Sequence, residues 1–237
     1  MFYFHGKRDQ DFCLISDNNL HINAHFIGKR GQGMGRDFTW VQSIALLLDD
    51  GRQLYLGAKK VSTWDNSVDQ VTMALDGQPI TLPPGEGATW ATASGLNVTR
   101  SEDTNAVVVE VEEKLKISAR VVPITEEESR VHKYGIIVGE DCFAHLELSF
   151  KFYSLSPTVS GVLGQTYGAE YRSPVKMGVA MPVMGGESSY VTSSLFAADC
   201  KVARFAASSS NDDKFSMTSA LNCDSGRGGG RGIVCRR

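Results

Sequence analysis

The amino-acid sequence predicts an all-β fold, either an antiparallel β-sandwich or an open barrel with many short strands and at most short helical turns. Apolar and polar residues alternate with a period of two in several segments, and turn residues separate these segments. No segment repeats its apolar residues at long helical periodicity. The chain has 237 residues, of which 42% are hydrophobic, which is enough to bury a large β core.

The alternating segments define the main predicted strands. Residues 20–26 and 144–152 place apolar side chains at even positions and polar ones at odd positions. Residues 107–122 keep apolar side chains at odd positions, but a single strand of that length is rare, so we expect two strands joined near Glu113. Strands with their apolar side chains facing inward are therefore predicted at 20–26, 107–112, 115–122 and 144–152.

Turn and cap residues connect these strands. Asp49-Asp50-Gly51 and Asp76-Gly77 each lie between apolar runs, a pattern typical of β-hairpins. The best helical candidate is a single turn over Thr125–Val131, where three glutamates follow a threonine that can cap the helix.

The domain organisation follows from a change in composition near residue 206. We expect residues 1–205 to form the β domain and residues 206–237 to form a polar linker and a cysteine-bearing, glycine-rich tail. The first six residues indicate a strand already in progress, without the basic start and apolar stretch of a signal peptide. The sequence therefore predicts a truncated N-terminus, with any export signal lying upstream.

Charge and hydropathy exclude two classes of partner. The formal net charge is −3, which argues against nucleic-acid binding. The segment Gly226–Gly232 resembles RNA-binding arginine-glycine segments, but two arginines supply too little charge, and we predict a loop closed by a local disulfide instead. No apolar run reaches about 18 residues, so we expect no membrane span.

Five cysteines and one sequon bear on the compartment. The cysteines could be buried free thiols of a cytosolic protein or a disulfide framework that lacks one partner. Cys223 and Cys235 flank the glycine-rich loop and are the predicted disulfide, because a short loop closes easily. Asn97 begins an Asn-Val-Thr sequon and is the candidate glycosylation site of a secreted protein.

The sequence predicts no catalytic, cofactor-binding or metal-binding residues. His21 and His25 share one face of a strand about 13 Å apart, too far to bind one ion, so we interpret both as surface histidines. Gly31–Gly35 lacks the spacing of a phosphate-binding loop. A catalytic alternative would require a cleft that gathers buried ionisable residues, for example around His21 or His145.

Three tryptophans are the candidate ligand-facing residues. Trp40, Trp64 and Trp90 lie beside predicted strands. Core packing and a sugar-stacking platform both use large aromatic side chains in this way. The sequence leaves both interpretations open.

Several stretches resemble the plant root cap, or late-embryogenesis-like, proteins. The matching stretches cover most of the chain and are Phe2–Leu14, Leu20–Gly28, Arg36–Gln42, Val121–Thr125, Asp141–Leu148, Val162–Tyr167, Lys176–Gly186 and the tail from Cys223 to Cys235. The resemblance implies a secreted, extracellular plant protein. It favours a non-catalytic module that binds cell-wall polymer or another extracellular protein. The alternative is an enzyme that acts on a plant metabolite or glycan in a β-lined pocket.

A more distant resemblance links two segments to von Willebrand factor type D domains. The opening segment through Phe12 and Leu14 is similar to the first hairpin of those domains, and Gly161–Tyr167 is similar to their closing Gly-x-x-Gly element. Because Gly161 and Gly164 bracket two apolar residues, we expect a sharp turn there, with Leu163 buried and Gly164 in a backbone conformation closed to other residues. The resemblance implies that this turn packs against the opening strand. Their calcium ligands are not carried over, because only one carboxylate follows the element.

Overall fold

A computed structural model gives the fold of the protein. It describes residues 2–31, 33–137, 139–173, 176, 178–180 and 182–205, and the backbone of residues 222–225 and 233–236. The chain divides into two compact units, Met1–Ala207 and Ser208–Arg237. No helix in the described part of the chain is long and apolar enough to cross a membrane.

The described residues of the first unit form antiparallel strands, one α-helix and two short 3-10 turns. In chain order these are β1 (Gln10–Ser16), β2 (Leu20–Arg30), β3 (Asp37–Leu48), β4 (Gln53–Ala58), β5 (Val71–Leu75), β6 (Gln78–Pro79), β7 (Thr89–Ala91), β8 (Leu96–Arg100), β9 (Ala106–Val111), β10 (Leu115–Val122), α1 (Glu126–His132), β11 (His145–Phe152), the 3-10 turns Gly164–Tyr167 and Glu187–Ser189, and β12 (Val191–Thr192).

These strands form two antiparallel sheets. The larger sheet has the order β12-β1-β2-β3-β4-β5-β6, and the smaller has the order β11-β10-β9-β8-β7. Side chains from both sheets contribute to one apolar core. The predicted all-β fold is confirmed as a mostly β sandwich with open sheets. All four predicted strands are present as β2, β9, β10 and β11.

The predicted hairpins and helix also form. β3 and β4 pair across the turn at Asp50, while β5 and β6 pair across the turn at Asp76. Glu113 adopts a left-handed conformation (φ 60°) between β9 and β10. Thr125 caps α1 through a complete capping box with Glu128, which satisfies backbone N–H groups at the helix start.

The opening residues differ from the prediction. Residues 2–6 do not form a continuing strand. Tyr3 makes one isolated parallel bridge to Val183, and Gly6 has a φ of 58°. An added Cβ at Gly6 would lie 3.1 Å from the Phe26 ring, so these residues cross closely over the side chains of the larger sheet.

Both faces of the β1–β2 hairpin are buried. Leu20 and Ile22 face the core, whereas His21 and Asn23, with the opposite parity, are also fully buried. The second face is covered by residues 190–205, which we call the covering segment. It reaches β1 through β12, in which Thr192 pairs with Asp11.

The second unit is described only as a two-stranded hairpin. β13 (Asn222–Ser225) pairs with β14 (Ile233–Arg236) in antiparallel fashion. Cys223 lies opposite Cys235 in this register. The side chains of both cysteines lie outside the described part of the structure, so their predicted disulfide stays a prediction.

Candidate functional site: a basic groove beside an aromatic shelf

An aromatic shelf lies on the outer side of β3. The rings of Phe38 and Trp40 contact Tyr134 edge-on, with centroid separations of 4.7 and 5.0 Å. Trp40 also contacts Phe143 and His145. These half-buried rings hold the segment after α1 against the sheet. Trp40 is therefore packed among other aromatic side chains, although it is not part of the central core.

Two polar contacts fix β2 to this segment and to β3. The Lys29 ammonium donates a hydrogen bond to the Gly135 carbonyl. The Arg30 guanidinium donates to Asp37 at 2.7 Å. This bond holds the pKa of the Asp37 carboxyl below its ordinary value, so the pair is ionised at neutral pH.

The charges of α1 are divided between its two ends. Glu126, Glu127 and Glu128 occupy the first turn, while Arg130 and His132 occupy the last. Because the helix dipole favours anions at the N-terminus and cations at the C-terminus, this distribution stabilises the helix. The basic C-terminal end of α1 also lies beside Lys29 and Arg30 at the end of β2.

The result is an open groove of about 870 Å³ between β2 and the α1 region. Four basic side chains and one carboxylate line it, together with the Tyr134 ring; the charged residues are Lys29, Arg30, Arg130, Lys133 and Glu126. Arg30 is partly neutralised by Asp37. The remaining cations still outnumber the carboxylate in the lining, so the groove suits an anionic ligand that can also contact an aromatic ring.

A second, smaller groove of about 300 Å³ is lined by His25, one member of a histidine–carboxylate pair. The His25 ring Nδ1 lies 2.7 Å from an Asp11 carboxylate oxygen. Lys60 and Asp141, 3.2 Å apart, line the same groove. No local signal in the sequence pairs His25 with Asp11, because the contact depends on the register of β1 against β2, which places these residues opposite each other.

His21 is not the surface histidine that the sequence analysis predicted. Its side chain is fully buried, with Nδ1 2.8 Å from Ser16 Oγ and Nε2 2.9 Å from Asn23 Oδ1. The Asn23 amide nitrogen donates to the carbonyls of Leu195 and Ala197, so its oxygen must accept from His21 Nε2–H. Burial lowers the pKa of His21. The expectation failed because the covering segment lies over this face of the hairpin.

These bonds also define the protonation state of the buried network. Ser16 Oγ accepts from the backbone N–H of Arg204 at 2.8 Å. Its hydroxyl proton is therefore free to donate to Nδ1 of the neutral His21 ring. The Ser16–His21–Asn23 chain resembles a catalytic relay in composition, but every member is buried and already bonded. Through Asn23 and Ser16 it is hydrogen-bonded to the backbone of the covering segment.

His145 does not supply a cleft either. Its pKa is lowered by burial, and its Nδ1 bonds the Phe143 carbonyl. The two histidines named for the catalytic alternative, buried His21 and half-buried His145, do not line either the basic groove or the smaller groove.

Two buried thiols lie beside His21. Cys13 Sγ, Cys200 Sγ and a ring nitrogen of His21 lie within 4.8 Å of one another. Such a set could in principle hold a soft metal ion. Both nitrogens of His21 already make hydrogen bonds, so the ring would have to give up one of them to bind a metal.

The two other tryptophans and the sequon lie away from the basic groove. Trp64 and Trp90 are half-buried and pack against the core, and the Trp64 indole donates to Asn66 at 2.6 Å. Asn97 lies on β8 with an exposed side chain, as a glycan acceptor requires. The glycosylation of Asn97 stays a prediction.

The Gly-x-x-Gly element packs against β1, but its strained residue is not the predicted one. Gly161 has a φ of +105°, and an added Cβ would lie 2.5 Å from the Leu14 carbonyl oxygen. Gly164 instead begins a 3-10 turn with an ordinary φ. Val162 is buried, whereas Leu163 is only half-buried. The close approach of β1 at the first glycine explains why the left-handed residue lies there.

One comparison with known families gives a match. Residues 149–205 match the model of the family described as Root cap, which confirms the resemblance to the root cap family over this part of the chain. The matched residues include the Gly-x-x-Gly element and the whole covering segment. The similarity to von Willebrand type D domains is not supported by this match and stays a prediction. No curated protein matches the chain.

Proposed function

We propose that this protein is a non-catalytic extracellular module of the root cap family that binds an acidic cell-wall polysaccharide in the basic groove. The observation that carries the proposal is the composition of the groove lining. It contains four basic side chains and Tyr134, but only one carboxylate. Polymers of uronic acids combine regularly spaced carboxylates with the apolar faces of sugar rings. Both features match this lining.

The side chains of the groove suit carboxylate recognition. Arg130 and Lys133 are exposed, and guanidinium and ammonium groups form charge-assisted hydrogen bonds with carboxylates. Tyr134 is held by Phe38 and Trp40, so its ring loses little further freedom when a sugar packs on it. An open groove also accommodates an internal segment of a long chain.

The test is a binding measurement with de-esterified oligogalacturonate and, as the neutral comparison, cello-oligosaccharides. We expect binding to the acidic oligomer only, weakened as sodium chloride is raised, because exposed charges are screened within about 8 Å at physiological ionic strength. In the double variant Arg130→Ala, Lys133→Ala, affinity should fall about tenfold, as expected for the loss of two exposed ion pairs.

A charge-matched control separates the groove from net charge. Lys116 and Lys151 lie opposite each other on β10 and β11, and neither lines the groove. The variant Lys116→Ala, Lys151→Ala should bind as the parent does. Equal loss in both double variants, or equal binding of neutral and acidic oligomers, would contradict the proposal.

A second candidate function is catalytic and is supported by the His25–Asp11 pair. A carboxylate that bonds one nitrogen of a histidine fixes the orientation of the ring, as in catalytic histidine–carboxylate pairs. The presence of Lys60 and Asp141 in the same groove makes proton transfer feasible there. Turnover of plant glycans that disappears in His25→Gln but persists in Arg130→Ala, Lys133→Ala would favour this candidate.

A further inference from the structure

Polar contacts help to hold the covering segment to the β1–β2 hairpin. The Cys13 backbone N–H donates to the Tyr190 carbonyl at 2.8 Å, and the Asn23 side chain donates to two carbonyls of the segment. Ser16 accepts from the backbone of Arg204. The segment contains only the two residues of β12 as regular strand, so a covalent bond to the hairpin would restrict it strongly.

Cys13 and Cys200 are placed to make that bond. Cys13 lies in β1 and is fully buried, while Cys200 lies in the covering segment and is 3% exposed. Their sulfurs belong to the group of atoms that lie within 4.8 Å of one another. We propose that Cys13 and Cys200 form a disulfide that locks the covering segment onto the β1–β2 hairpin.

The alternative for these atoms is a metal site, and the neighbouring histidine argues against it. His21 donates Nε2–H to Asn23 and accepts from Ser16 at Nδ1, so neither nitrogen has a free lone pair. Two thiols alone leave a tetrahedral ion without half of its ligands. A disulfide needs no third ligand and leaves the Ser16–His21–Asn23 bonds in place.

The position of each thiol assigns the attacking sulfur. Cys200 lies in the covering segment and reaches solvent while that segment is open, whereas Cys13 stays on β1. The thiolate is the nucleophile in thiol–disulfide exchange, and Cys200 therefore attacks first.

The oxidant we assign is a small-molecule disulfide such as glutathione disulfide. The Cys200 thiolate attacks one sulfur of the oxidant, which breaks its S–S bond, forms a mixed disulfide and releases one thiol after protonation. The Cys13 thiol then loses its proton and displaces the second small thiol from Cys200. One protein disulfide forms, and the oxidant takes up the two electrons and two protons. Because both sulfurs are buried in the closed state, exchange occurs before the segment closes.

Peptide mapping of the full chain, refolded in a glutathione redox buffer and digested without reduction, tests the pairing directly. We expect one linked peptide pair containing Cys13 and Cys200. Cys142, which is also buried but outside this group of atoms, should be recovered as a single alkylated thiol once the chain is denatured. Recovery of both Cys13 and Cys200 as free thiols from the folded, oxidised protein would overturn the proposal.

Thermal unfolding with and without dithiothreitol gives a second measurement. A cross-link between residues so distant in sequence should raise the midpoint by about 10 °C over the reduced form. The variant Cys142→Ser should keep this difference, and Cys200→Ser, which retains Cys223 and Cys235, should lose most of it. An equal difference in Cys200→Ser would contradict the lock. Stoichiometric zinc in the parent, with both thiols protected until a chelator is added, would establish a metal site instead.

Discussion

The β1–β2 hairpin and the β10–β11 pair have the same alternating pattern but different surroundings. In β11, Glu147, Ser149 and Lys151 remain exposed on the outer face. In β2, His21 and Asn23 occupy the equivalent polar positions and are fully buried. The difference is the covering segment, which lies over the second face of β1–β2.

The chemistry of the polar residues reflects this difference. The outer face of β10–β11 carries ionised side chains, which are costly to bury without partners. The second face of β1–β2 carries a histidine, an asparagine and a thiol, which can be buried when they are hydrogen-bonded. Alternation therefore identifies the inward face of a strand, whereas the kind of polar residue indicates whether the other face is covered.

The largest loss of stability is expected for a substitution at Gly161, where the chain comes very close to β1. Gly161→Ala should lower the free energy of unfolding by about 4 kcal/mol, because the new Cβ meets the Leu14 carbonyl oxygen and the residue must keep a positive φ. Chemical denaturation measures the change. The matched control is Gly164→Ala, in which the new Cβ lies 3.2 Å from a Val159 methyl group and the expected cost is about 1 kcal/mol. Similar losses in the free energy of unfolding for the two variants would show that β1 moves to accommodate the added methyl group.

A somewhat smaller loss of stability should distinguish the covered face of β1–β2 from the exposed face of β10–β11. Asn23→Ala removes the partner of His21 and of two segment carbonyls, so we expect a loss of about 3 kcal/mol in the free energy of unfolding. Ser118→Ala, at an exposed outward position of β10, should change it by less than about 0.5 kcal/mol. The same denaturant titrations measure both variants. Equal effects would mean that the covering segment contributes little to the stability of the hairpin.

The sequence predicted the strands well, because each depends on residues close together in the chain. The β9–β10 hairpin and the capping box of Thr125 with Glu128 have clear local signals. The basic groove has no such local signal in the sequence, since Lys29 and Lys133 are brought together only by the packing of α1 beside β2. Trp40 was identified, but its aromatic neighbours Tyr134, Phe143 and His145 could not be, because they lie far from it in the sequence.

The misassigned positions have a common cause. His21 and Gly164 were interpreted from their own strand or turn, without the segment that packs against them. The covering segment lacks apolar alternation and has little regular structure, so no periodic signal predicted that it would lie over β1–β2. Its one signal was Cys200, a cysteine with no assigned partner.

The smallest predicted effect is a dependence of stability on pH that arises from His21. Its pKa in the folded protein is below the ordinary 6.5, chiefly because burial disfavours the charged ring. The unfolded chain therefore takes up a proton first as the pH falls below 6.5, and the free energy of unfolding decreases on acidification. Between pH 7 and 5.5 we expect His21 to account for a loss of about 1 kcal/mol.

The groups that face His21 do not titrate in this window, which makes the effect assignable. Ser16 and Asn23 are uncharged, Asp199 has a pKa of about 2, and in the oxidised protein the proposed cross-link leaves neither Cys13 nor Cys200 with a proton to lose. Denaturant titrations at a series of pH values should give a shallower slope for His21→Gln than for the parent, whatever the absolute stability of the variant. His145→Gln, which also removes a histidine of lowered pKa, should reduce the slope separately, because that ring lies in β11 and not under the covering segment. Parallel slopes for His21→Gln and the parent would show that water and protons reach His21 in the folded state, and that the covering segment opens readily.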